Sequence, residues 1–169
     1  VYNDVALSPD DTRVAVTRRD NVNDDIWIID LARNVPARFT SHPAQDWHPV
    51  WSPDGRRLAF SSTRAIGGST NSLYCKDTIN VRDVQLVLKS TSYERLNDLS
   101  PDGRLLLVSR TQGRDGLWVV PADQAIPLGE DRATQYLNSE SFTETRRQFF
   151  PLKDADGRSW VVYTSNESG

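Results

Sequence analysis

A four-residue turn recurs through the chain and constrains its fold more than any other feature. Ser8-Pro9-Asp10-Asp11, Ser52-Pro53-Asp54-Gly55 and Ser100-Pro101-Asp102-Gly103 are near copies, and Asp156-Gly157-Arg158 closes a fourth, altered one. The aspartates at 10, 54, 102 and 156 stand 44, 48 and 54 residues apart. Each position of the motif has a physical reason. Proline presets φ for the first central turn residue, aspartate bonds its side chain to nearby backbone N–H groups, and glycine accepts the positive φ that closes a hairpin. Asp11 stands where the later copies have glycine, and aspartate tolerates the left-handed region better than most residues. Pro9, Asp10, Pro53, Asp54, Gly55, Pro101, Asp102, Gly103, Asp156 and Gly157 are therefore read as turn-formers rather than catalytic groups.

The segments around each turn repeat as well. A short apolar strand precedes it: Val5-Ala6-Leu7, Val50-Trp51 and residues 96–99. A second strand follows: Val14-Ala15-Val16, then residues 58–62, 105–109 and 160–165. Residues 25–30, 72–77 and 116–120 read as third strands, and residues 37–40, 84–88 and 125–128 as fourth strands. No segment has a convincing 3.6-residue period, so the chain is all-β. Four-stranded units at this spacing are the signature of β-propeller blades. The expectation is a partial propeller of about three and a half blades of four antiparallel strands. The boundaries fall at about 1–41, 45–89, 93–129 and, for the half blade, 142–169. Hydrophobic residues make up 37% of the chain and mean hydropathy is −0.56, values expected of strands with one solvated face.

Charge and cysteine content exclude several classes. Twenty basic and 23 acidic residues are interspersed, giving a net charge of −3 and no electrostatic case for nucleic acid or an anionic membrane. Cys75 is the single cysteine, so neither a disulfide framework nor a cysteine zinc site is available. No run approaches a membrane span, and no cofactor is implied. Closed propellers have four to eight blades. The chain is therefore expected either to belong to something longer or to complete a ring by self-association.

The second unit carries Pro49, Trp51-Ser52-Pro53-Asp54-Gly55-Arg56, Leu58-Ala59-Phe60-Ser61-Ser62 and Arg64. The first supplies residues 25–31 and then Phe39-Thr40. These resemble the TolB-type, WD-repeat-like Pro-Asp propeller repeats across essentially the whole chain. Residues 163–169 are similar to the version found in propeller regions attached to bacterial serine/threonine kinases. The resemblance implies a non-catalytic module that binds a protein, peptide or small ligand as part of a bacterial scaffold or sensor, with an extracytoplasmic location favoured. Similar repeats also precede the α/β-hydrolase domain of prolyl oligopeptidase-like peptidases, where the propeller limits substrate access. That is the alternative.

Catalytic machinery is thin. His42 and His48 are the only histidines, and no Gly-x-Ser-x-Gly nucleophile motif is present. Trp47, His48, Asp46, Arg64 and Arg19 are the candidate binding residues, expected at the rim of the channel, with Trp47 the best candidate for a recognition aromatic. A metal site from His42, Asp46 and His48 is disfavoured, so no metal is expected. Asp154-Ala155-Asp156-Gly157 resembles the start of a calcium loop, but Thr164 stands where the closing glutamate would be, which favours a hairpin. The Gly-rich loop at 65–71 precedes a strand rather than a helix, which argues against a phosphate cradle. Arg18, Arg19, Arg64 and Arg110 follow second strands and are read as paired with nearby acids such as Asp20, Asp24 and Asp115. Trp27, Tyr74 and Trp118 recur in third strands, as core packing between blades requires.

Overall fold

The computed structural model describes residues 1–20, 23–65, 70–79, 84–111, 116–122, 133–138, 144–150 and 154–165. Among these residues fourteen strands form four antiparallel sheets. The first sheet takes β1 (Tyr2–Leu7), β2 (Arg13–Asp20), β3 (Asn23–Asp30) and β4 (Val35–Arg38) in that order. The second takes β5 (Asp46–Trp51), β6 (Arg57–Ser62), β7 (Ser72–Asp77) and β8 (Val84–Leu88). The third takes β9 (Tyr93–Leu99), β10 (Leu105–Thr111), β11 (Gly116–Pro121) and β12 (Thr134–Asn138). A two-stranded sheet of β13 (Glu144–Phe149) and β14 (Val161–Ser165) completes the order. The first strands of neighbouring sheets, β1, β5, β9 and β13, lie in contact with one another. Each sheet is thus a blade, and its first strand is the innermost.

The Ser-Pro-Asp turns behave as their chemistry requires. In each copy the serine Oγ donates to the aspartate Oδ1 at 2.6 Å and accepts the N–H five residues on at 2.9 Å. The closing residue is left-handed in all of them: Asp11 at φ 57°, Gly55 at 66° and Gly103 at 72°. The fourth turn uses different residues for the same geometry. The Gly157 N–H bonds the Asp154 carbonyl at 2.9 Å, so Asp154-Ala155 takes the place of Ser-Pro. The Asp154 carboxylate accepts the Asp156 and Arg158 N–H groups and the Trp160 indole N–H. The acids that resembled a calcium loop are a hairpin turn.

Three apolar clusters fill the three gaps between blades. Ala15, Ile26, Phe39, Trp51, Leu58, Phe60 and Tyr74 join the first blade to the second. Val50, Ala59, Leu73, Val87, Leu96, Leu106 and Val108 join the second to the third. Leu107, Leu117 and Phe149 join the third to the fourth. Adjacent residues such as Leu58 and Ala59 point to opposite clusters, as a strand's two-residue period dictates. The middle blades are therefore covered on both faces, which corrects the expectation of one solvated face. Low hydropathy resides instead in turns and in polar strands such as β4, whose four residues are exposed.

The turns also fasten blade to blade. A Cβ on Gly103 would lie 3.5 Å from Pro53 Cδ, and one on Gly55 3.8 Å from Pro9 Cδ, so the second and third turns each sit on the proline of the one before, whereas nothing lies within 4 Å of a Cβ on Gly157. Arg13 Nη2 donates to the Gly55 carbonyl at 3.0 Å, and its guanidinium lies 4.7 Å over the Trp51 ring. The Trp51 indole N–H in turn donates to the Ala6 carbonyl at 3.0 Å.

Two expectations about strand limits differ from the structure. The third blade ends with β12 at Thr134–Asn138, past the boundary at 129. Thr134, Gln135 and Tyr136 are exposed, so that strand carries no apolar signal to read. The expected fourth strand at 125–128 lies outside the described residues, as do residues 66–69 of the Gly-rich loop and Asp115. The inner strands are also longer than their apolar halves. Each begins with a polar segment, Tyr2-Asn3-Asp4, Asp46-Trp47-His48 or Tyr93-Glu94-Arg95.

Candidate functional site

Those polar halves build the candidate site. Every inner strand carries a register irregularity against its partner: between Asn3 and Val5, between Trp47 and Val50, opposite Asn97, and between Thr145 and Gln148. A β-bulge re-aims a side chain, and bulges gather where function needs that. Asp4 at φ 44° and His48 at φ 52° are left-handed. Holding a non-glycine residue there costs about 1–3 kcal/mol, and the proline that follows His48 narrows its choices further. Asp4, His48, Arg95, Asn97, Arg147 and Gln148, with Val5, Pro49, Val50 and Leu96, line a cavity of about 600 Å³. All four blades contribute to it.

The electrostatics centre on Asp4. Its Oδ1 lies 3.7 Å from Arg95 Nη2 and 4.0 Å from His48 Nε2. The His48 side chain is 12% exposed. Burial pushes its pKa down to about 4, Arg95 adds to that and Asp4 opposes it. His48 is therefore neutral near pH 7, and its buried Nδ1 has no hydrogen-bond partner among the described residues. On the opposite wall Ser109 Oγ accepts from Asn97 Nδ2 at 2.7 Å and from Arg147 Nη1 at 2.5 Å. One hydroxyl thus orients both side chains. The Ser109 hydroxyl is engaged by Asn97 and Arg147, and no other serine, threonine or cysteine is placed at the wall among the described residues. The arrangement offers polar groups suited to binding a polar ligand.

The five residues expected at the channel rim separate into three places. His48 alone lines the cavity. Asp46 is fully buried, and Arg64 Nη2 reaches both of its oxygens at 2.8 Å. Arg19 holds Asp24 through Nε at 3.0 Å and Nη2 at 2.8 Å, and the Trp47 indole N–H bonds the same carboxylate at 3.0 Å. This contact from Arg19 holds the Asp24 carboxyl below the usual range. Trp47 is half-buried and its polar edge ties the second blade to the first rather than facing a ligand. His42 is exposed, and its Nδ1 accepts the Ala44 N–H at 3.0 Å. Among the described residues no three metal-ligating side chains gather.

The other repeated features are structural. Arg18, Arg64 and Arg110 stack over Trp27, Tyr74 and Trp118 at 4.3, 4.9 and 4.5 Å, one pair per blade. Arg18 also pairs Asp20 at 3.2 Å and Arg110 pairs Glu94 at 2.7 Å. Tyr74 and Trp118 are buried, whereas Trp27 is half-buried. Sequence reasoning missed Asp4, Arg95, Asn97 and Arg147. One signal was available: Asp4 and His48 both stand four residues ahead of a turn serine.

Comparison with known proteins follows the same lines. The family model of the TolB beta propeller domain, PD40, matches residues 3–125. The chain belongs to the PD40 family. This PD40 chain is 32% identical over 117 residues to the uncharacterized peptidase YuxL of Bacillus subtilis (strain 168), a match covering 65% of the chain and 17% of YuxL. The fold superposes on TolB from Acinetobacter baumannii with a TM-score of 0.70 at 18% identity, covering 99% of this chain and 39% of TolB. A prolyl endopeptidase structure gives 0.64 at 16% identity, covering 96% of this chain and 25% of that one. The PD40 chain thus spans less than half the length of each of these proteins.

Proposed function

We propose that this chain is a non-catalytic binding module that takes a peptide, or an extended segment of a protein, at the mouth of its central cavity. The observation that carries the reading is the cavity wall. Four bulged inner strands turn polar side chains inward, two of them on strained backbone, and the Ser109 hydroxyl at the wall is engaged by Asn97 and Arg147. Rigid strands hold such groups more precisely than loops do. Membership of the PD40 family and the likeness to TolB support a role within a bacterial scaffold or sensor, and favour an extracytoplasmic location. Selection from a random peptide library carrying a photo-crosslinker tests it. Crosslinks should map to the strands bearing His48 and Arg95. Crosslinks confined to the outer strands, or none, would contradict it.

The second reading is an access-limiting propeller of a prolyl oligopeptidase-like serine peptidase. The identity to YuxL and the superposition on a prolyl endopeptidase favour it. Chemistry would then reside on a hydrolase domain, and the peptide in the cavity would be substrate in transit. Coding sequence for a Gly-x-Ser-x-Gly hydrolase domain in the same gene supports this reading; a kinase domain there rules against it.

A further inference from the structure

Successive gaps between blades are built from matching residues, and the second gap lacks one of them. Trp51 ends β5 and pairs with Leu58; Leu99 ends β9 and pairs with Leu106 at the same register. Trp51 is buried between the first and second blades, with the Arg13 guanidinium 4.7 Å over its ring and Arg13 Nη2 bonded to the Gly55 carbonyl. Leu99 stands in the next gap and is only half-buried. Beside it lies a cavity of about 250 Å³, walled by Ala59, Val87, Leu99 and Leu106. Arg57 lines the same cavity and holds the place of Arg13, each standing five residues after its turn serine. Arg57 is exposed, and among the described residues neither an aromatic ring nor the Gly103 carbonyl receives its guanidinium. The second gap thus lacks the ring that fills the first and keeps the cation that would cover it.

We propose that this cavity takes an aromatic side chain from a bound peptide or protein. The occupant is argued from the molecule's own precedent. Ala15 and Leu58, the counterparts of Ala59 and Leu106, share a cluster with the Trp51 indole. An apolar cavity of roughly 150 Å³ already holds a benzene ring, so 250 Å³ has room for an indole. A ring in this place restores the contacts that a void denies to Leu99 and Leu106. Arg57 then closes over its face, as Arg13 does over Trp51. Asp54 and Asp102 also line the cavity, each accepting its own turn's serine hydroxyl, and their charge disfavours an anionic ligand where a neutral ring is accepted. No described lining residue is shared with the cavity that holds His48, so the inference stands apart from the reading above.

The test titrates the full chain with N-acetyltryptophanamide, N-acetylleucinamide and indole, followed by methyl NMR. The tryptophan amide should shift the Val87, Leu99 and Leu106 methyl signals through its ring current and bind at least about fivefold tighter than the leucine amide. Leu99→Trp supplies the ring from within and should abolish that binding, with the melting temperature unchanged or raised. Ala122→Leu narrows the cavity from its half-buried edge and should weaken binding at least about threefold, which decides the matter should Leu99→Trp fail to fold. Arg57→Gln should weaken the tryptophan amide about threefold and leave the leucine amide unchanged. Equal binding of the two amides, undiminished binding in the filled variants, or no shift at these methyls would overturn the site. Tighter binding of indole than of the tryptophan amide would overturn a side chain as the source of the ring. The central-cavity reading keeps its own test, because neither His48 nor Arg95 lines this site.

Discussion

Arg64 reaches both carboxylate oxygens of Asp46 from a single nitrogen at 2.8 Å, and Asp46 is fully buried beneath it. The same guanidinium covers the Tyr74 and Phe60 rings at 4.9 and 5.2 Å. Removing the arginine strands a carboxylate that water cannot reach. Arg64→Met should therefore cost about 3–5 kcal/mol, read as a lower urea midpoint. Pairing it with Asp46→Leu should recover a large part of that loss. A mild effect of Arg64→Met alone would contradict the arrangement.

The left-handed turn residues give a second expectation. Gly55 and Gly103 sit at φ 66° and 72°, and the nearest atoms to a built Cβ are 3.4 Å or more away, so backbone strain dominates over collision. Alanine at either position should cost about 1–2 kcal/mol. Asp11→Gly should move stability the other way, by less than about 1 kcal/mol, because it relieves the same strain in a residue that already tolerates it. Thermal melts of the three variants check the opposite signs.

His48 predicts a pH dependence of its own. Its folded pKa of about 4 lies below the reference value of 6.5, so the unfolded chain binds the proton first as pH falls. Stability is then lost between pH 6.5 and 4 and does not change further through this group below that. The full effect is roughly 3 kcal/mol. Denaturation midpoints at pH 7 and 4.5 should converge in His48→Gln. The turn carboxylate Asp10 acts in a separate window. Hydrogen bonds from Ser8, then Thr12, hold it at about 2 against 3.8, so its contribution is present above pH 4 and lost as pH falls through 2.

The fourth turn depends on one carboxylate where the others divide the work between serine and aspartate. Asp154→Ala should release the Trp160 indole, seen as a shifted indole N–H resonance and a changed fluorescence maximum. Asp154→Ser restores the repeat's own residue and should preserve the hairpin while freeing the same indole. Millimolar calcium should leave both spectra unchanged.

The two outer blades present apolar side chains to solvent. Val5 and Leu7 are 72% and 52% exposed at one end, Trp160 and Val162 54% and 55% at the other. Val5 and Leu7 pair with Val16 and Val14 on the face opposite Ala6 and Ala15, which pack against the second blade. Light scattering of the 169-residue chain should give a mass that rises with concentration above 19.1 kDa. A constant monomer mass would rule out self-association through these ends.

The fold was legible because its punctuation is local. Pro53, Asp54 and Gly55 specify a turn whatever surrounds them, and apolar runs such as Leu58-Ala59-Phe60 mark a strand, although burial on both of its faces shows only in the packed blades. Strand β12 was not legible, since a polar outer strand is held by its backbone ladder and needs no hydrophobic pattern. The site was harder for a different reason. Asp4, Arg95, Asn97 and Arg147 are scattered over three repeats, and only the packing of blade against blade brings them together. His48 could be singled out as a rare residue, but Asp46 and Trp47, its neighbours in sequence, are turned to other partners. A bulge had re-aimed the chain between them, and nothing in residue type announces a bulge at a non-glycine position.

The seating of Gly55 and Gly103 on the preceding prolines bears on how such a chain can grow. Pro9 carries Gly55 and Pro53 carries Gly103, so the turn at Pro53 is both the foot of its own hairpin and the socket for the next. A duplicated blade arrives with both halves of that joint already matched, and no new surface has to be invented to receive it. Variation in blade number then becomes the cheap mutation and variation within the joint the expensive one. The polar halves of the inner strands lie outside the joint and are free to diverge without disturbing it.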